Sequence, residues 1–148
     1  MRVAVGSDES THLTDWVVKN LQANGVEVEL YGALTPEANT RWPEVARQVA
    51  ENVADGRCQQ GVLFCNTGTG VSIAANKVAG VRAALCADAE TAKKARLWND
   101  ANVLCMSLRL TSPQIAIEIL DAWSSTSTID ETEQENIDQV IRMDRTKE

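Results

Sequence analysis

Five short apolar runs, at Val3–Gly6, Val26–Tyr31, Gly61–Phe64, Val81–Cys86 and Val103–Met106, alternate with segments of helical periodicity along the whole chain. The helical patterns lie near Thr11–Ala23, Pro43–Ala54, Val71–Val78, Ala89–Leu97 and Pro113–Trp123, and a last one covers Glu131–Met143. Strands that are apolar throughout, and separated by helices, belong to a parallel sheet covered on both faces. This pattern predicts a three-layer α/β/α, Rossmann-like fold with a five-stranded parallel sheet and right-handed crossovers. The 148 residues read as one domain, 1–148, with no linker, repeat or low-complexity stretch. In such sheets ligands bind outside the carboxyl ends of the strands. Those ends carry Ser7-Asp8-Glu9, Tyr31-Gly32, Cys65-Asn66-Thr67, Cys86-Ala87-Asp88 and the loop after Met106.

Local signals agree with the pattern. Asn24-Gly25 closes the first helix, with glycine suited to the left-handed position after a helix. Ser112-Pro113 pairs an N-cap with a first-turn residue, and Gly80 separates a helix from the next strand. The net charge of −7, with no block of Lys or Arg, speaks against binding to nucleic acid or an anionic membrane. The acidic run Ile129–Asn136 reads as a solvated helix start. No apolar run is long enough to span a bilayer, and the first residues lead into a strand rather than a signal peptide, which predicts a cytoplasmic protein. The four cysteines form no Cys-x-x-Cys pair and there is one histidine, so no metal site and no disulfide are expected. Cys86 and Cys105 end apolar runs and read as small buried residues.

Chemistry concentrates in Gly61–Lys77, where an apolar strand ends in Cys65, a Gly/Thr/Asn turn follows, and a helical pattern begins. A cysteine ending a buried strand is, taken alone, more often structural than reactive. Its sequel changes the reading. Thr67, Gly68, Thr69 and Gly70 offer hydroxyls and backbone N–H groups with no bulky side chain in the way. Helix-start N–H groups hold anions, favour a thiolate nearby and can stabilise an enediolate oxygen. A base beside such a cradle is the minimum set for moving a proton next to a carbonyl. The loop is neither a Walker A motif nor a Gly-x-Gly-x-x-Gly dinucleotide fingerprint. Asp8 and Glu9 follow the first strand, where capping of the first helix by Asp8 or Ser10 is as plausible as a binding role. Trp98-Asn99-Asp100 lies before the last strand and reads either as a turn with a packed Trp or as a pocket wall.

Beyond these separate motifs, the run from Val62 to Arg109 resembles the ribose-5-phosphate isomerase B / galactose-6-phosphate isomerase family. The matching pieces are Cys65-Asn-Thr-Gly-Thr-Gly70, Ser72-Ile-Ala-Ala-Asn-Lys77, Gly80-Val-Arg-Ala-Ala84, Arg96-Leu-Trp-Asn-Asp-Ala-Asn-Val103 and Ser107-Leu-Arg109, with Val3-Ala-Val-Gly-Ser-Asp8 at the start. The resemblance implies interconversion of aldose and ketose phosphates through a cis-enediolate, with no cofactor or metal. It implies a homodimer or tetramer whose active sites combine residues of two subunits. It gives Cys65 the role of proton-shuttling base and places Thr67 at the enediolate. Asn66, Gly68, Thr69 and Gly70 surround the sugar, and Asp8, Asn99 and Arg109 match positions for sugar hydroxyls and phosphate.

The chain also departs from the family pattern. Family isomerases usually carry Asp-His after the first strand, where this chain has Asp8-Glu9. A ring-opening His stands where Trp98 is found, and indole can neither give nor take a proton. Tyr-Pro before the second helix becomes Trp42-Pro43, often preceded by Asp where this chain has Arg41. Two phosphate-binding arginines align with Thr132 and Asn136. The sole histidine, His12, reads as a surface or helix-packing residue. These changes imply a smaller, more apolar pocket, with Arg41 as a replacement cation, and a substrate shifted from ribose 5-phosphate toward a short open-chain sugar phosphate. Two other readings are a partner-dependent subunit, resembling the Gly-Ser-Asp-Glu subunit of galactose-6-phosphate isomerase, and a sugar-binding module without turnover.

Overall fold

The computed structural model describes residues 1–36 and 40–144. Its strands are β1 (Arg2–Ser7), β2 (Glu27–Gly32), β3 (Gln60–Cys65), β4 (Ala83–Leu85) and β5 (Val103–Ser107). Its helices are α1 (His12–Ala23), α2 (Trp42–Ala54), α3 (Thr69–Ala75), α4 (Ala89–Asn99), α5 (Pro113–Ser125) and α6 (Gln134–Met143). All pairings are parallel, in the order β2-β1-β3-β5-β4. The three-layer α/β fold expected from the apolar runs is therefore present.

Because side chains alternate across a strand, each central strand feeds two cores. On one face Val3, Val5, Val62, Phe64, Leu104 and Met106 pack with α1, α4 and α5 through Leu13, Val17, Ala92, Ala116, Ile119 and Trp123. On the other, Ala4, Leu63, Cys65, Val103 and Cys105 pack with α2 and α3 through Val45, Ala46, Val49, Ala50 and Val71. Burying each Val or Leu fully stabilises the fold by about 1.5–3 kcal/mol before entropy is counted. Gly6 lets α2 lie close on the sheet, because a Cβ there would stand 2.7 Å from Val45 Cγ1 and 2.9 Å from Val49 Cγ2.

The chain runs from β1 outward to β2, then crosses back to β3 and on to the opposite edge. The strand order reverses between β1 and β3, and the helices leaving those two strands lie on opposite faces. A crevice opens at such a switch point, at the carboxyl ends of the strands.

Helix ends follow the sequence signals with one correction. Gly25 and Gly80 are left-handed, with φ of 80° and 88°, and Ser112 caps α5 by accepting from Ile115 N at 3.2 Å. Neither Asp8 nor Ser10 caps α1. Thr11 does, in a reciprocal capping box with Thr14, because it is the residue immediately before the first helical turn. Near the sheet edge, β4 is shorter than the apolar run Val81–Cys86. The Asn102 side chain takes over part of the ladder, accepting from Arg82 N at 2.8 Å and donating to Gly80 O at 2.9 Å. The acidic run opens as a single 3-10 turn, Glu131–Glu133, which continues into α6. None of the helices described is long and apolar enough to cross a membrane.

Candidate active site at the ends of β1 and β3

The last residue of β3 is Cys65, in register with Ser107 of β5 and only 5% exposed. The loop after it turns through Gly68, which has φ 77° and stands at the N-cap of α3. A Cβ at Gly68 would lie 2.6 Å from Leu85 Cδ1 and 2.9 Å from the Met106 carbonyl carbon, so both the conformation and the space exclude a side chain. Within the turn the Thr67 and Thr69 hydroxyl oxygens are 2.6 Å apart, and Thr69 N donates to Thr67 Oγ1 at 3.4 Å. The loop is stitched to the end of β5. Leu108 N donates to Cys65 O at 3.0 Å and Arg109 N to Asn66 O at 3.1 Å, and the Ser107 hydroxyl donates to Asn66 O at 2.9 Å.

Across the switch point, the Ser7 hydroxyl donates to Glu9 O at 2.6 Å and accepts from Glu9 N at 3.2 Å. This tight turn fixes Asp8 between them. Asp8 Oδ1 is buried and has no hydrogen-bond partner among the described residues. Burial raises the Asp8 pKa above the ordinary carboxylate value; a bond from its own backbone opposes the shift and the Glu9 charge adds to it.

Asp8, Trp42, Cys65, Asn66, Thr67, Thr69 and Gly70 line one pocket of about 210 Å³. Of the residues expected to bind substrate, Gly68 lies buried beneath this pocket and shapes it. Glu9 and Arg109 are exposed on neighbouring loops and do not line it, and Arg41 precedes Trp42 as the N-cap of α2. Trp98 and Asn99, the last residues of α4, line a different groove of about 400 Å³, together with Arg82, Asn136 and Val140. The Lys94 ammonium sits 4.4 Å from the centre of the Trp98 ring. Thr132 is engaged by Asp130, to which its hydroxyl donates at 2.7 Å. His12 is exposed on α1, with its ring centre 6.3 Å from that of Trp16. Trp42 was expected to shrink the pocket but not counted among the ligand contacts. Its place directly before Pro43, in the first turn of a helix that starts at the carboxyl edge of the sheet, is the signal that puts it in the wall.

All four cysteines are free and buried. Cys58 donates to Glu29 Oε2 at 3.5 Å. Burial is the main cause that pushes the Cys58 thiol up to about 11 and Cys86 to about 12, and burial raises Cys105 as well. These three are protonated packing residues at neutral pH, and Cys65 is the thiol that faces the pocket.

The ribose/galactose isomerase family matches residues 3–140. The chain belongs to that family. Like its relatives, this ribose/galactose isomerase family member is an isomerase of sugar phosphates. It is 42% identical over 123 residues to ribose-5-phosphate isomerase B of Escherichia coli, covering 82% of each chain. It is 38% identical over 124 residues to D-erythrulose-4-phosphate isomerase of Pectobacterium atrosepticum, covering 83% of this chain and 82% of the other. The structure of Clostridium thermocellum ribose-5-phosphate isomerase B matches with a TM-score of 0.92 at 31% identity, over 100% of both chains.

Proposed function

We propose that this family member interconverts an aldose and a ketose phosphate with Cys65 as the base, and that its substrate is a short, open-chain sugar phosphate such as a tetrulose phosphate. The observation that carries the reading is the convergence of Asp8, Cys65 and Thr67 on one pocket at the switch point. The Cys65 thiolate takes the proton from the carbon beside the carbonyl, and the electron pair moves onto the carbonyl oxygen to give a cis-enediolate. The Thr67 hydroxyl and the N–H groups around Gly68, Thr69 and Gly70 donate to that oxygen. Cys65 then returns the proton to the adjacent carbon while the hydroxyl proton passes from the second oxygen to the first, so that the old carbonyl becomes a hydroxyl as the new carbonyl forms. The Asp8 carboxylate, which lines the pocket, accepts from a sugar hydroxyl, and Asn66 faces the same space.

Trp98 and Asn99 line a separate groove within one chain, and this supports a site completed by a second subunit, in a homodimer or tetramer. On this reading Trp98, Asn99 and Arg109 of a neighbour reach the Cys65 pocket, and Arg41 stands near its mouth as a phosphate cation. An indole in place of an acid–base group suits a substrate that needs no ring opening.

The test is turnover across four-, five- and six-carbon sugar phosphates. The expected order puts the four-carbon substrate first, and highest activity on ribose 5-phosphate would refute the shift. Cys65→Ala is expected to keep the fold and lower kcat by about 10²–10⁴-fold. Full activity in that variant would remove Cys65 from the mechanism. Binding without exchange of substrate hydrogen in heavy water would instead identify a sugar-binding module. Activity that appears only with a paralogous chain would identify a partner-dependent subunit.

A further inference from the structure

We infer that Trp42 sets the length of sugar phosphate that the Cys65 pocket accepts. The inference rests on that pocket being the sugar site. Among the described residues of one chain, the others that line it are small or polar, and Trp42 brings a large rigid apolar surface into it. The indole lies against Gly70, where a Cβ would meet Trp42 Cε3, Cδ2 and Cζ3 at 3.1, 3.2 and 3.2 Å. Three ring atoms at nearly one distance mean that the ring presents its face to the start of α3. The contact closes the space between the first turns of α2 and α3.

This wall cannot retreat as a body. Trp42 stands in the first turn of α2, and Val45, one turn further on, is fully buried. Gly6 of β1 is already so close beneath that helix that a Cβ would collide with Val45 and Val49. A longer ligand therefore has to displace the indole itself, which gives up its contact with Gly70. The part of the pocket that one chain supplies holds about 210 Å³, below the ~300–1,000 Å³ usual for small-molecule sites, so one added hydroxymethylene group is a large fraction of the room beside Trp42. Within one chain, the polar side chains described around the pocket orient hydroxyls and Trp42 rejects length.

Trp42 is 42% exposed and is not a core residue, so shortening it leaves the two hydrophobic cores intact. The experiment measures binding of erythritol 4-phosphate and ribitol 5-phosphate, which lack the carbonyl and cannot react, to the full chain and to Trp42→Ala and Trp42→Phe, by calorimetry. The unaltered protein should bind the four-carbon compound more tightly. Trp42→Ala should shift the ratio of the two Kd values toward the five-carbon compound by about ten-fold or more, the usual scale for one carbon in a fitted pocket. Trp42→Phe should shift it less. An unchanged ratio in the folded variants overturns the inference, and Trp42→Phe decides alone if Trp42→Ala fails to fold. A shifted ratio in a protein that turns over no sugar phosphate would leave Trp42 as the length gauge and defeat the isomerase mechanism instead, so the two failures are separable.

Discussion

Asp8 places one carboxylate oxygen out of contact with water and with any hydrogen-bond donor in the described chain. Burial is the first cause of its raised pKa. Between the unfolded and folded pKa values the native state holds more protons than the unfolded chain, so stability falls as pH rises through that window. At neutral pH the ionised carboxylate is thus a cost to the fold. Asp8→Asn is expected to raise Tm slightly at pH 7 and to lose that advantage at acid pH, where the native carboxyl is protonated. The same variant should weaken sugar binding by about ten-fold, since a charged acceptor is replaced by a neutral amide. A Tm that falls at neutral pH would contradict the burial argument. The sequence left Asp8 open between cap and ligand contact. The choice depended on where the first helical turn begins, and Thr11, one residue past Ser10, took the cap. The place of Cys65 was easier to read, because a residue closing an apolar strand before a Gly/Thr turn stands at the carboxyl edge of the sheet, where the pocket opens. Trp42 was legible as bulk, but its contact with Gly70 joins residues far apart in sequence and depends on how α2 meets α3.

At the scale of elements, the turn between β3 and α3 decides whether the site exists. Gly68 takes a left-handed conformation and lies against Met106 of β5 and the side chain of Leu85 of β4. Gly68→Ala should cost about 1–2 kcal/mol from backbone conformation alone, with the collision added. The expected readouts are a Tm lower by roughly 2–8 °C and activity lost out of proportion to the folded fraction. Unchanged activity in a destabilised protein would mean that the turn can shift without harm. The strands were legible because a sheet covered on both faces demands continuous apolar runs, and four of the five extend close to the apolar segments. β4 was over-read, since Val81 is apolar and buried although outside the ladder, where the Asn102 side chain serves Arg82 instead. The start of α3 was under-read because Thr69 and Gly70 are poor helix formers that tertiary contacts hold in the first turn.

For the whole molecule, the strand order places Asp8 and Cys65 side by side and leaves Trp98 and Asn99 on another groove. If two chains complete each site, defects on opposite sides of it are complementary. A mixture of Cys65→Ala and Asn99→Ala chains, unfolded and refolded together, should regain about one quarter of the normal activity. Half of randomly paired dimers are mixed, and each mixed dimer keeps one intact site of two. Activity no higher than that of the separate variants would place the whole site in one chain. No pattern in a single sequence separates residues that meet within a chain from residues that meet across a two-fold axis, which is why these two sets read as one site.

The seam between the Cys65 loop and the end of β5 has a thermodynamic consequence. Three hydrogen bonds already hold the Cys65 and Asn66 carbonyls before any ligand arrives, so the loop has little conformational freedom left to lose. A ligand that enters this pocket then meets a loop whose ordering entropy was spent during folding. Affinity differences between substrates must come from fit and desolvation, not from how well each one orders the loop.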